Sequence, residues 1–157
     1  MSENLNTNNN LTIVTGLWDI SRVGRGFDHY IENFNRFLDI PVNMFIYIPE
    51  EYEYLVWAKR SKENTFVKVY DLSDVKRLYA PHWDKTQEIR TSEKWLNQTG
   101  EGGWLKGSPQ AVNEWYNPIV QSKMFMMNDV TIWNPFNTDY FFSVSYTHLT
   151  LPTKRIV

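Results

Sequence analysis

Apolar residues along this chain alternate between short continuous runs and stripes at helical spacing, and that alternation predicts the order of its elements. Residues 11–18 (LTIVTGLW) form an apolar, β-branched run, the pattern of a buried strand. Residues 19–26 bring charge and glycine, which predicts a loop. Phe27, Tyr30, Ile31, Phe34, Phe37 and Leu38 then recur three and four apart, while His29, Glu32, Asn33 and Arg36 fall opposite them. That is an amphipathic helix, ended before Pro41. Residues 43–48 (NMFIYI) read as a second buried strand. Pro49 opens a helix to about residue 60, and Glu50 and Glu51 in its first turn suit the helix dipole better than acid–base work. Residues 65–70 (TFVKVY) read as a third strand, followed by Asp71 and a short helix that Ser73 is placed to cap.

Strands separated by helices at this spacing predict a parallel sheet, because parallel strands need crossovers and helices supply them. Beyond Ala80 the pattern changes. Residues 83–98 are polar and helical in type, and residues 99–108 (TGEGGWLKGS) form a Gly-rich loop, either a mobile site loop or a plain surface connection. Pro109 starts a longer helix to about residue 128, with Pro118 expected to kink or break it. Residues 130–136 (VTIWNPF) should turn the chain into 139–142 (DYFF), the start of another buried strand.

Composition narrows the function classes. The net charge is −2 with both signs mixed along the chain, which gives no basic block for nucleic acid. Cysteine is absent, so no disulfide, thiolate metal site or thiol nucleophile is available. Residues 1–10 are polar and Asn-rich without an apolar core, so they read as a disordered start rather than a secretion signal. No apolar run reaches the length of a membrane span, and a cytoplasmic location is the expectation. Seven tryptophans suit either a packed core or a sugar-facing surface.

In an open parallel sheet, ligands bind beyond the carboxyl ends of the strands, where the strand order reverses. The loop after the first strand offers Asp19, Arg22 and Arg25 beside Gly24 and Gly26. Arginine forks match phosphate oxygens, although the same residues also make an ordinary solvated loop. Asp71, at the end of the third strand, is placed to accept from a base or ribose, or else to cap a helix. Lys123 falls near the centre of a stripe formed by Val112, Tyr116, Ile119, Met127 and Val130. An ammonium aimed at a core must snorkel, pair or meet an anion, and a diphosphate would satisfy it. Alternatively, Pro118 resets the helix and leaves Lys123 at the rim. Trp104 and Trp115 are the tryptophans placed to stack on a sugar ring, and the histidines show no metal-ligand spacing.

The segment 12–20 (TIVTGLWDI) with its nearby arginine, the helix 117–123 (NPIVQSK) and 133–136 (WNPF) before an aromatic strand resemble, in order and spacing, the WlaTC/HtrL family of bacterial glycosyltransferases. The resemblance spans most of residues 11–142. It implies an α/β fold with a Rossmann-like parallel sheet of GT-A type, a UDP-linked sugar donor and a saccharide acceptor. It also implies a divalent metal, manganese or magnesium, in the full-length parent, and synthesis of surface polysaccharide or lipooligosaccharide. In the family the strand 140–142 continues into an acidic segment that binds the metal. Here that continuation is missing, so no metal ligand or catalytic residue is carried over, and Asp19, Arg22 and Lys123 are expected near the donor nucleotide. The alternative is a non-catalytic sugar- or nucleotide-binding α/β module. Residues 144–153 (VSYTHLTLPT) back-translate into a string resembling a transposase-type sequencing adapter. Residues 143–157 are therefore expected to be a non-native tail on a truncated domain.

Overall fold

In the computed structural model, which describes residues 10–145, a parallel sheet of four strands carries helices on both faces. The strands are β1 (Leu11–Gly16), β2 (Asn43–Ile48), β3 (Thr65–Val69) and β4 (Tyr140–Ser145). Their spatial order is β3-β2-β1-β4, and every neighbouring pair is parallel. The expected disordered start and the expected tail fall, beyond Asn10 and residues 143–145, outside the described residues. Asn10 itself is tied to the start of β4, donating from Nδ2 to Asp139 Oδ2 at 2.7 Å.

Strand alternation sorts the core into two halves, because successive side chains point to opposite faces. Ile13, Leu17, Met44, Ile46 and Ile48 meet Phe34 and Leu38 of α1 (Phe27–Phe37) and its flank, and α2 (Glu53–Trp57) closes the same side. Val14, Trp18, Phe45 and Tyr47 face the other way, toward α3 (Leu72–Tyr79) and α7 (Tyr116–Trp133). The chain steps from β1 to β2 to β3 along one side, then crosses back over the other face to place β4 beside β1. The strand order therefore reverses between β1 and β4.

The polar middle of the chain folds into short helices, α4 (Trp83–Thr91), α5 (Glu93–Leu96) and α6 (Pro109–Val112). Several details differ from the pattern reading. The helix expected from Pro109 is interrupted at Asn113, whose backbone is extended, and not at Pro118. Pro118 sits in the first turn of α7, where its missing N–H costs nothing, so α7 runs unbroken. That helix also continues to Trp133. The turn follows at Asn134, whose backbone is left-handed (φ 40°) and whose side chain bonds both N–H and C=O of Thr138. Asp71, rather than Ser73, caps α3 through a reciprocal capping box with Asp74. β4 is half open rather than buried, with Tyr140 67% and Phe142 63% exposed, because it forms one edge of the described sheet.

Candidate functional site

The strand-order reversal between β1 and β4 opens a crevice at their carboxyl ends, walled by Gly16, Trp18, Tyr47, Lys123 and Ser143. Its enclosed volume is about 20 Å³, room for about one water molecule, so a larger ligand would lie across its mouth. Two local features build it. Gly16 ends β1 without a side chain, and a Cβ there would come within 2.3 Å of the Trp18 ring. The indole therefore folds back over the strand end, where Trp18 Nε1 donates to Tyr70 O at 2.9 Å.

Lys123 enters from α7. The buried face of that helix is formed by Ile119, Ser122, Met126 and Val130, and Lys123 stands one step to the side of it, half-buried. The expected stripe is shifted because Val112 belongs to a separate helix and is exposed. Burial pushes the Lys123 ammonium below the ordinary lysine value, as desolvation disfavours the charged form. Among the described residues no carboxylate forms an ion pair with it.

On the other side of Trp18, the loop after β1 forms a second, narrower pocket lined by Asp19, Arg22, Arg25 and Tyr30. Arg22 is fixed from both faces of the sheet. Its Nη1 donates to the Tyr30 hydroxyl of α1 at 2.9 Å, and its guanidinium stands 5.5 Å from the Tyr116 ring centre on α7. Its Nε is buried without a protein partner. Asp19 is exposed, and its Oδ1 accepts from Ser21 N at 2.8 Å, which holds the tight turn. Asn113 ties the loop to α7: its Nδ2 donates to Ile20 O, and its Oδ1 accepts from the Trp115 and Tyr116 N–H groups.

Asp19, Arg22 and Lys123 thus flank Trp18 at the end of β1. Asp71 does not line either pocket; its Oδ1 accepts from Asp74 N at 2.8 Å as a cap. The Gly-rich stretch contributes no wall to the crevice, and Trp104 within it is exposed. Trp115 packs edge-on against Trp83, with centroids 4.5 Å apart. Pattern reading overlooked Gly16, Trp18 and Tyr30. A glycine two residues before a tryptophan at a strand end was the available signal.

Among the described residues no group of three or more His, Asp or Glu side chains gathers to hold a metal ion. No helix among these residues is long and apolar enough to cross a membrane.

A small α/β domain with its polar groups at a strand-order reversal is the class that fold and site define. A family model described as a bacterial protein of unknown function, HtrL_YibB, matches residues 7–154. The chain belongs to that family. No curated protein and no solved structure matches it.

Proposed function

We propose that this chain is a ligand-binding α/β module that takes the phosphate end of a nucleotide or nucleotide-sugar across the mouth of the β1–β4 crevice. The observation that carries the reading is Lys123, a partly desolvated ammonium with no carboxylate partner among the described residues, at the switch point of the sheet. A phosphate oxygen would supply the missing counter-charge. Arg22, held by Tyr30 and Tyr116, adds a second cation beside Trp18, and its buried Nε has no protein partner. The exposed carboxylate of Asp19 suits ribose or sugar hydroxyls.

The experiment is thermal unfolding with UDP. Binding to the folded state raises the midpoint by linkage, by about 2.7 kcal/mol of stability at a hundredfold excess over Kd. Lys123→Ala should remove most of that shift. No shift at millimolar UDP, or a shift unchanged in Lys123→Ala, would sink the proposal.

The wider reading, a metal-assisted glycosyltransferase with a GT-A-type sheet, rests on the family resemblance, which places an acidic segment after the strand 140–142. A UDP shift that requires manganese or magnesium would favour the transferase, whereas an equal shift in a chelator would favour the binding module. A donor sugar and a saccharide acceptor belong to the transferase reading alone.

A further inference from the structure

The turn that carries Arg22 is held from two sides. Ser21, immediately before it, has a left-handed backbone (φ 52°), a conformation that a non-glycine residue keeps only where its surroundings impose it. On one side, Asp19 Oδ1 accepts from Ser21 N at 2.8 Å. On the other, Asn113 Nδ2 donates to the carbonyl of buried Ile20 at 2.7 Å, across 93 positions of the chain. The same Asn113 side chain opens α7. Its backbone is extended (φ −109°, ψ 121°), and the break it makes between α6 and α7 leaves the next N–H groups without helical acceptors. Asn113 Oδ1 fills that role, accepting from Trp115 N at 2.9 Å and Tyr116 N at 3.1 Å. Tyr116 in turn sets its ring against the Arg22 guanidinium.

The two ends of this amide have separable roles. Opening a helix needs only an acceptor, and serine or aspartate supplies one about as well as asparagine. The Nδ2 donor does nothing for α7; it serves the Ile20 carbonyl. We infer that Asn113 is a positioning residue for Arg22. It fastens the strained turn after β1 to the start of α7, so that Arg22 of the loop and Lys123 of the helix stand in a fixed relation on the two sides of Trp18. A site whose cations are already placed loses less freedom when an anion binds. The consequence for ligands rests on the nucleotide reading of the crevice, whereas the fixing of Arg22 does not.

The test compares the parent chain with Asn113→Ser, which keeps a capping acceptor and loses the amide donor. Without ligand, the readout is the Arg22 Nε–H signal in heteronuclear NMR, identified by its loss in Arg22→Gln. That nitrogen is buried in the parent, so its proton should exchange slowly, and Asn113→Ser should speed the exchange roughly tenfold. With UDP, Asn113→Ser should raise Kd roughly three- to tenfold, the worth of one hydrogen bond. That loss should vanish in an Arg22→Gln background, a non-additivity that general loosening of the fold does not produce. Circular dichroism checks folding. If Asn113→Ser does not fold, Asn113→Asp, which keeps the shape and the capping oxygen, carries the exchange measurement. Unchanged Arg22 exchange would overturn the inference. So would faster exchange with UDP affinity intact, or an equal loss of affinity in the Arg22→Gln background. If the parent itself binds no UDP, the nucleotide reading falls, and the exchange result alone decides whether Asn113 holds Arg22.

Discussion

The two faces of the sheet are built from different chemistry. The α1 face is largely apolar: Ile13, Leu17, Met44, Ile46 and Ile48 close on Phe34 and Leu38, and its polar atoms include the Tyr30 hydroxyl at the loop and the buried Thr15 hydroxyl. The α7 face is aromatic and polar, with Trp18, Phe45, Tyr47 and Tyr79 packed beside Lys123 and the Tyr79–Asp129 hydrogen bond. The crevice opens on the α7 face. Apolar burial contributes about 25 cal/mol per Å² whichever residues supply it, so either face can stabilise the fold. The face with an amine, a carboxylate and open rings is the better equipped to recognise a ligand, with Tyr30 the contribution of the α1 side. The division assigns stability chiefly to one side of the sheet and chemistry to the other.

The sharpest way to break this division is a cavity on the α1 side. Phe34→Ala removes a fully buried ring and should cost about 3–5 kcal/mol in urea unfolding. The molecules that remain folded should keep their affinity for UDP, because the ring lies across the sheet from Lys123. Gly16→Ala probes the other side. The added methyl meets the Trp18 ring, so stability should fall by about 1–3 kcal/mol and the UDP shift should shrink with it. Equal retention of ligand binding in the two variants would erase the proposed difference between the faces.

Thr15 sharpens the contrast within one strand. Its side chain follows Ile13 and Leu17 toward the α1 face, and its hydroxyl is buried without a partner. Thr15→Val keeps the shape and removes the unsatisfied group, so it should raise stability by about 1 kcal/mol. A loss of that size would show that the hydroxyl is satisfied in solution.

The smallest effect is a pH dependence. Lys123 has a lowered pKa when folded, so the unfolded chain binds more protons in the interval between the folded value and 10.5. Stability from this group therefore rises with pH through that interval, and Lys123→Met should abolish the rise. The tyrosines with raised pKa values, Tyr47, Tyr52, Tyr79 and Tyr116, act in the opposite sense. Their contribution is complete below pH 10 and lost above it, so the difference between variant and parent is the quantity to follow. Parallel stability profiles for the two proteins would show that the Lys123 ammonium is as well solvated as an ordinary lysine.

Much of the fold was legible because its signals are local. The runs at 43–48 and 65–69 are β-branched or aromatic and lie between turn residues, and the stripe from Phe27 to Phe37 has helical period. The misplaced helix break at Pro118 shows where local reading ends. Proline forbids a hydrogen bond only inside a helix, and whether a proline lies inside depends on where the helix starts. Asn113 sets that start through bonds to Trp115, Tyr116 and the distant Ile20 carbonyl. The site was legible in part. Arginine after a first strand and lysine near an apolar stripe were visible as candidates, while Tyr30 and Asn113 as the residues that hold Arg22 and its loop were not.

By itself the sequence determined the alternation of strands and helices, the parallel connection of the first three strands, and the residue types available for chemistry. Hydrophobic period and turn composition act over a few residues, so a single chain carries them openly. The tertiary structure decided that β4 returns to the β1 side, and so where the strand order reverses. It also decided which face of each strand meets α7, and whether Lys123 finds a carboxylate. Those outcomes depend on packing between segments on the order of a hundred residues apart, where many pairings bury similar apolar area and only the assembled fold selects one.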